Sequence, residues 1–220
     1  MDFFELLKES LPMLMQGLML TLQLSAVSLF FAMIIGIVAS LMGMSKNIVL
    51  RGINRVLVAV VRGTPLLVQA FFIYFGITGL LNIRITAFLA GVIALSFNAG
   101  GYLSEIFRGG IQAVDPGQRE AARSLGLSAA QTTWRIIIPQ AIRICIPSVV
   151  NQWCITIKDT SIISVIGLAE LTNAGDAIIS RTYRSFEVWI MVGVLYFIVI
   201  WLLTKLARFV EKKVSLDEQH

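Results

Sequence analysis

Two oppositely charged residues, Lys158 and Asp159, stand next to each other in a stretch that is otherwise apolar or uncharged. Close to them in sequence lie four polar residues: Asn151, Gln152, Thr160 and Ser161. An ammonium and a carboxylate together could answer the two charges of a zwitterionic small molecule such as an amino acid. The alternative is a structural ion pair with Arg62, with Glu105 or with a partner subunit. Both interpretations remain open from the sequence.

A second polar group recurs at helical spacing. Asn98, Tyr102 and Glu105 are separated by four and then three residues, which places them on one face of a helix. Inside a membrane, such residues either line a wet cavity or form hydrogen bonds between helices. For Glu105 the sequence favours a simpler use, an ion pair with the nearby Arg108.

A third group surrounds a proline. Arg62 and Gln69 are seven residues apart and share a helical face, and Pro65 lies between them. A proline inside a helix removes one backbone hydrogen bond and loosens the helix, and the freed carbonyls could line a cavity. Arg62 lies only about 10 Å of helical rise from Arg55. An alternative interpretation is therefore that its side chain extends toward the membrane surface.

Composition indicates where these residues must lie. Of the 220 residues, 57% are hydrophobic and only 14% are charged, whereas a soluble domain carries about 25% charged residues. This deficit argues against a soluble enzyme, a disordered chain and a nucleic-acid-binding protein, despite the net charge of +5. Four runs contain no charged residue: 10–45, 63–83, 85–104 and 188–204. A helix needs about 20 apolar residues to cross a bilayer.

The sequence therefore predicts an all-α integral membrane protein, a single domain over residues 1–220. Five spans are expected, at about 14–42, 56–78, 86–106, 144–166 and 187–207. The first is expected to be an uncleaved span, because a signal peptide has a basic start and a shorter apolar core.

The distribution of lysine and arginine predicts the orientation. One side carries most of them: Lys46, Arg51, Arg55, Arg108, Arg119, Arg123, Arg135, Arg143, Lys205, Arg208, Lys212 and Lys213. The other side carries Lys8, Arg84, Arg181 and Arg184. Because positive loops face the cytoplasm, the N-terminus is expected outside and the C-terminus in the cytoplasm.

The sequence gives little support to metal, disulfide or nucleotide chemistry. Cys145 and Cys154, on one helix, would be about 13 Å apart along its axis, too far for a disulfide. The single histidine is His220. No glycine-rich phosphate loop with its lysine occurs, so ATP hydrolysis by this chain is not expected.

The polar segment between the third and fourth spans, about 107–143, contains signals for two short capped helices. Asp115 precedes Pro116 and stands three residues before Gln118, a capping-box pattern, and Gly126 suits the left-handed residue that ends such a helix. Ser128 and Gln131 repeat the pattern for a second helix, predicted to end at about Ile138, before Pro139.

This segment resembles the "EAA" loop of ABC importer permeases. Glu120-Ala121-Ala122, then Gly126, then Ile136-Ile137-Ile138-Pro139 follow the family spacing, with Ile138 where the family usually has leucine. Two further stretches resemble signatures of the polar amino-acid branch: Arg62-Gly63-Thr64-Pro65 and Lys158-Asp159-Thr160-Ser161. The similarity extends over about residues 10 to 210.

The resemblance implies a type I importer permease with five spans and a cytoplasmic coupling-helix pair. Its coupling residues would be Glu120, Ala121, Ala122, Gly126 and Pro139, in a segment (115–138, here the coupling segment) that docks on an ATPase subunit. For Glu120 taken alone, the alternative is a solvated residue paired with Arg119 or Arg123. The candidate residues of the translocation pathway are Arg62, Gln69, Asn98, Tyr102, Gln152, Lys158, Asp159, Thr160 and Ser161.

The resemblance also implies the partners. These would be a dimer of ATPase subunits that binds ATP and magnesium, a second permease, identical or homologous, an extracytoplasmic amino-acid-binding protein, and the lipid of the bacterial inner membrane. No cofactor, metal or nucleic acid is expected in this chain, which would be a transporter subunit and not an enzyme. Which polar amino acid it carries is left open among arginine, glutamine, cystine and histidine.

Two rival functions follow from the same residues. A self-contained carrier or channel would use Lys158, Asp159 and Glu105 as a proton relay. Carriers often contain internal repeats, however, and the sequence contains none that we detect. An intramembrane enzyme ranks last, because the chain lacks a plausible Ser/His, metal or paired-aspartate constellation.

Overall fold

The computed structural model describes residues 2–216, and the side chains of residues 2–209, and its regular structure there is helical throughout. Eight helical segments follow one another along the chain: α1 Phe3–Met44, α2 Ile48–Gly63, α3 Leu66–Leu81, α4 Ala87–Ala113, α5 Pro116–Ser124, α6 Ala129–Ile166, α7 Leu171–Thr182 and α8 Ser185–Leu216. His220 and the side chains of Lys212 and Lys213 lie outside the described part.

Four helices in the described part of the chain are long and apolar enough to cross a membrane: α1, α4, α6 and α8. The pair α2 and α3 adds a fifth crossing if the two helices are counted as one bent span. The all-helical membrane architecture expected from the sequence is thus confirmed. A helix of 42 residues such as α1 is about 63 Å long, so it extends well beyond the hydrocarbon core.

The bundle is built around α1 and α4, which approach each other closely along small residues. A Cβ added at Gly36 of α1 would lie 2.7 Å from Cβ of Leu103, and one added at Gly100 of α4 would lie 2.6 Å from Cγ2 of Ile35. Both positions therefore exclude any larger residue.

The second span is not the continuous helix predicted over 56–78. The axes of α2 and α3 differ in direction by 110°, and the break falls at Thr64 and Pro65. Both residues have extended backbone conformations, and Pro65, which lacks an N–H, serves as the cap of α3. Pro65 therefore starts a new helix in a new direction, a larger effect than the loosening expected from the sequence.

The second helix of the coupling segment does not end before Pro139, which is another correction. Helical structure continues from Ala129 to Ile166, through a π-helical stretch at Thr133–Ile137, and Pro139 lies in the first turn of the α-helix Ile138–Ile163. A π-helical stretch changes the hydrogen-bond register, so a proline directly after it can be accommodated. The coupling segment is thereby joined rigidly to the fourth span.

The two ends of the bundle differ. At one end, which carries the coupling segment, Val114 packs with Ile137 and Ala141 in a small apolar cluster. At the other end, the short helix α7 packs against the start of α1 and the start of α8 through residues such as Leu14, Leu171 and Val188. We call these the coupling end and the α7 end. The helix α7 was not predicted from the sequence.

Candidate functional site

The coupling segment is ordered by contacts between near neighbours. The side chain of Asp115 accepts a hydrogen bond of 2.7 Å from the backbone N–H of Gly117 and so caps α5. Gly126 has φ = +78°, the left-handed conformation predicted for it. Ser128 and Gln131 form the predicted reciprocal capping box. Helix ends satisfied in this way need no partner to hold their shape.

The capping box predicted between Asp115 and Gln118 is not formed. Gln118 does not return to Asp115; its Oε1 instead accepts a hydrogen bond of 3.3 Å from Nε2 of Gln140 in α6. This contact crosses from α5 to the base of the fourth span. It ties the coupling segment to the membrane helix in addition to the continuous backbone.

One face of the coupling segment points away from the bundle. Ala122 is 1% exposed and packs inward, whereas Glu120, two residues away on the opposite face of α5, is exposed. Among residues 2–209, the carboxylate of Glu120 forms no ion pair, so the pairing with Arg119 or Arg123 is not formed. Large apolar side chains are exposed nearby, Leu125 at 81% and Trp134 at 72%.

An exposed, locally capped surface with a free carboxylate and unburied aromatic and aliphatic groups has the composition of a protein interface. Ala121, Gly126 and Pro139 are exposed as well, and only Ala122 of the five coupling candidates is buried. The small side chain of Ala121 beside Glu120 leaves the backbone of α5 open to close approach from outside.

Gln69 and Asn98, two pathway candidates, are joined by a hydrogen bond. Gln69 also binds backbone carbonyls at the break between α2 and α3. Nδ2 of Asn98 donates to Oε1 of Gln69 at 3.0 Å. Nε2 of Gln69 donates to the carbonyl of Thr64 at 3.1 Å and lies 3.3 Å from the carbonyl of Val61. These carbonyls lost their helical partners where α2 ends. The amide of Gln69 therefore closes the broken end of α2 and links it to α4.

Lys158 and Asp159 lie close enough to act on each other's charge, but they are not joined to other charged residues in the described part of the chain. Lys158 is exposed and Asp159 is half-buried, and neither forms an ion pair there. Glu105 instead pairs with Arg108, whose Nη2 lies 2.6 Å from Oε2 of Glu105, as the sequence favoured. A structural pair of Lys158 or Asp159 with Glu105 or Arg62 is therefore absent within this chain.

The other pathway candidates differ in exposure. Thr160 and Gln152 are buried, and Ser161 and Thr160 donate to backbone carbonyls of their own helix. Tyr102 is 37% exposed on α4, and Arg62 is exposed near the end of α2. Arg62 and Glu105 border a common cavity near the coupling end, and neither Lys158 nor Asp159 lines it.

A buried polar cluster around Glu170 was not predicted from the sequence. This side chain is 0% exposed, and its carboxyl oxygens accept hydrogen bonds from the hydroxyl of Tyr196 at 2.8 Å and from Oγ1 of Thr21 at 3.3 Å. They also accept from the backbone N–H of Asn173 at 2.9 Å, which caps α7. Glu170 thus joins α1, α7 and α8. An acidic residue isolated in an apolar stretch was the available signal.

No metal centre accompanies these residues. Within the described residues, histidine, cysteine, aspartate and glutamate form no group of three that could hold a metal ion. Cys145 and Cys154 are both free and buried, as expected from their separation.

Comparison with known proteins identifies relatives over nearly the whole chain. Residues 32–216 match the family described as "Binding-protein-dependent transport system inner membrane component". The glutamine transport system permease protein GlnP of Escherichia coli (strain K12) is 38% identical over 208 residues, which cover 94% of this chain and 95% of that protein.

Two further relatives agree with this match. The arginine transport system permease protein ArtQ of Bacillus subtilis (strain 168) is 36% identical over 208 residues, 94% of this chain and 95% of the relative. A solved chain described as "Crystal structure of an amino acid ABC transporter with histidines" superposes with a TM-score of 0.91 and is 41% identical. That match covers 97% of this chain and 99% of the other.

Proposed function

This chain belongs to the family of inner membrane components of binding-protein-dependent transport systems, and from this premise we propose how it works as the permease subunit of an ATP-driven importer of polar amino acids. Relatives named for glutamine and arginine transport support that substrate class. ATP is hydrolysed by a separate subunit in importers of this kind, so this chain supplies the path and the coupling surface.

The single observation that carries the coupling role is the outward face of α5. Glu120 is exposed there, forms no ion pair within residues 2–209, and is fixed on the capped helix α5, which a short turn joins to α6, the helix of the fourth span. We propose that an ATPase subunit binds this face and that Glu120, Ala121 and Gly126 are central to the contact. Movement of the ATPase would then be passed to α6 through the rigid run from Ala129 and through the contact between Gln118 and Gln140.

For the substrate, the proposal assigns direct contact to Lys158 and Asp159. Within the described residues, both charges lack an ion pair, and a charge at membrane depth is retained at a cost of roughly 2.5–3.5 kcal/mol on insertion scales. An amino acid carries the complementary carboxylate and ammonium. Gln69 and Asn98 have a positioning role in this scheme, since their amides are already engaged with each other and with the end of α2.

The remaining elements of the assembly follow from the family. A second permease, identical or homologous, completes the path; two ATPase subunits bind the coupling segments; and an extracytoplasmic binding protein delivers the amino acid. We propose that the coupling end faces the cytoplasm, because it carries most of the lysine and arginine residues, and that the N-terminus and α7 face outward. The bundle then alternates between states open to opposite sides.

The direct experiment is purification of the tagged chain from its own membranes in mild detergent, followed by reconstitution into vesicles with the proteins that accompany it. A stoichiometric ATPase, and ATP-dependent uptake of labelled glutamine, arginine, histidine or cystine in the presence of the binding protein, is the expected result. Uptake that follows a proton gradient without any ATPase would favour the carrier instead.

A further inference from the structure

A cavity of about 690 Å³ opens near the coupling end between α1, α2 and α4. Its lining includes four arginines and a single acidic side chain: Arg51, Arg55, Arg62, Arg108 and Glu105. The cavity therefore has a strong excess of positive charge. Neither the coupling role nor the contact with substrate at Lys158 and Asp159 uses Arg51 or Arg55.

Within the cavity, one arginine forms a close ion pair and three do not. Arg108 donates to both carboxylate oxygens of Glu105, at 3.1 and 2.6 Å, and to Oε1 of Gln112 at 3.1 Å. Across residues 2–209, by contrast, no hydrogen bond or ion pair is formed by the guanidinium groups of Arg51, Arg55 and Arg62. Arg51 and Arg55 face this space without a counter-charge. Arg62 interacts at longer range with Glu105, which already pairs with Arg108. The remaining surplus of cations favours an anionic ligand.

The three unpaired arginines are arranged in a row. Positions 51, 55 and 62 are separated by four and seven residues, so they lie within about 40° of one another on α2 and extend over roughly 16 Å of its length. The helix is anchored beside them, on the side that faces α4. Oγ of Ser104 donates to Oδ1 of Asn54 at 3.2 Å, and Val61 packs against Gly101. The row is therefore held on a fixed wall of the cavity.

The outer face of the same helix has the opposite character. Ile53, Val56 and Val60 are apolar and more than half exposed, at 52%, 63% and 54%. A helix with an arginine row on one face and exposed aliphatic groups on the other matches a molecule that has both an anionic headgroup and hydrocarbon chains. Basic pockets between membrane helices on the cytoplasmic side bind headgroups of this kind.

We propose that this cavity binds the phosphate of an anionic phospholipid from the leaflet at the coupling end, with Arg51 and Arg55 as its main ligands and the acyl chains along the apolar face of α2. Guanidinium groups suit a phosphodiester because two parallel N–H donors reach two of its oxygens. The cytoplasmic location rests on the orientation proposed above.

The test compares lipid binding to the assembled transporter in nanodiscs that contain phosphatidylglycerol and phosphatidylcholine, read by native mass spectrometry. The double variant Arg51→Gln with Arg55→Gln removes two charges from the cavity, and the control Lys46→Gln with Lys205→Gln removes two charges from the same end outside it. The cavity variant loses charge-assisted contacts to the phosphate from two guanidinium groups, so its phosphatidylglycerol affinity should fall by at least about 100-fold. The control is expected to stay close to the parent.

Equal losses in the two double variants, or none in the cavity variant, would overturn the proposal, because the effect would then be general surface charge or absent. Displacement of the lipid by millimolar inorganic phosphate would identify a free-anion site and overturn the assignment to a phospholipid. The thermal transition of each variant shows that the fold is retained. Uptake by the parent is measured on the same preparation, so failure of lipid binding is distinguished from failure of the transport function.

Discussion

The coupling segment and the membrane interior satisfy their polar groups over different distances along the chain. In the coupling segment, Asp115 binds the N–H of Gly117 and Ser128 binds Gln131, partners two and three residues apart. In the interior, Asn98 reaches Gln69 across 29 residues. Thr21 reaches Glu170 across 149 residues. The first region is organised by its own sequence and the second only by the folded bundle.

The two regions also differ in which side chains they leave exposed. The coupling segment leaves Glu120, Leu125 and Trp134 uncovered on a rigid frame, whereas the interior encloses Glu170 and Asn98 almost completely. A surface that is ordered without a partner and still exposed is suited to docking. A polar group that is buried and bonded across helices is suited to holding those helices in register. Substitutions in the two regions are therefore expected to fail in different ways.

The largest effect is expected from charge reversal on the docking face. Glu120→Lys should abolish ATP-driven uptake while membrane insertion and thermal stability stay unchanged, because within residues 2–209 the side chain has no ion-pair partner to lose. A central interface residue contributes about 2–4 kcal/mol, which is about 30- to 1000-fold in affinity for the ATPase. The measurement is co-purification of the ATPase together with uptake.

The matched control is Glu9→Lys, the same charge change at an exposed position of α1 near the α7 end. It should leave the ATPase bound. Comparable loss of the ATPase in the control would mean that net charge, and not the docking face, determines assembly.

The next largest effect is expected at the unpaired charges of the interior. Asp159→Asn removes a charge that we assign to the substrate ammonium, and a charge-assisted hydrogen bond contributes about 1.5–3 kcal/mol, or about 10- to 100-fold in uptake at low substrate. Asp176→Asn, at an exposed position of α7, is the control. The ATPase should still co-purify with both variants. Normal uptake by Asp159→Asn would remove this residue from the path.

A stability effect is expected at Glu170. Glu170→Gln replaces one carboxyl oxygen by an NH2 group among the donors Tyr196, Thr21 and Asn173, and the mismatch should destabilise the α7 end by about 1–3 kcal/mol. The control Glu187→Gln breaks only a partly exposed ion pair, in which Nη1 of Arg184 lies 3.4 Å from Oε1 of Glu187. It should lower the free energy of unfolding by at most about 1 kcal/mol. Thermal unfolding in detergent measures both, and equal shifts would show that the buried cluster is not a structural hub.

The smallest effect is expected for the amide pair at the break between α2 and α3. A double-mutant cycle of Gln69→Ala and Asn98→Ala should give a coupling energy of about 0.6 kcal/mol, the average for interhelical hydrogen bonds in a membrane. The same cycle with Gln69→Ala and Ser96→Ala, whose hydroxyl bonds to the carbonyl of Ser28 instead, should give none. Coupling of equal size in both cycles would mean that the effect is not specific to the amide contact.

Much of the coupling segment could be predicted from the sequence for a physical reason. Caps and the left-handed glycine are local, so Asp115, Gly126 and the pair Ser128 and Gln131 reveal themselves in neighbouring residues. The same reasoning failed at Pro139, because a π-helical stretch, which has no clear local pattern, carries the helix through it. Local signals therefore located the helices better than they located the junctions between them.

The interior was less predictable because its contacts depend on which helices meet. The spacing of Asn98 placed it on a helical face, but not against Gln69, and nothing near Glu170 pointed to Thr21 or Tyr196. Likewise Pro65 marked a disturbance in the second span without revealing a change of direction by 110°. Apolar run length predicted the spans, and it contains no information about bends or partners.

The most direct test of the central claim is site-specific photocrosslinking in native membranes from Ala121, the exposed residue next to Glu120 on α5. A benzoylphenylalanine at Ala121 should give an adduct with the mass of this chain plus one ATPase subunit. The same group at Ser180, exposed on α7 at the opposite end, should give no such adduct. Absence of the ATPase adduct at Ala121 from a complex that still co-purifies would contradict the docking of the ATPase on the coupling segment.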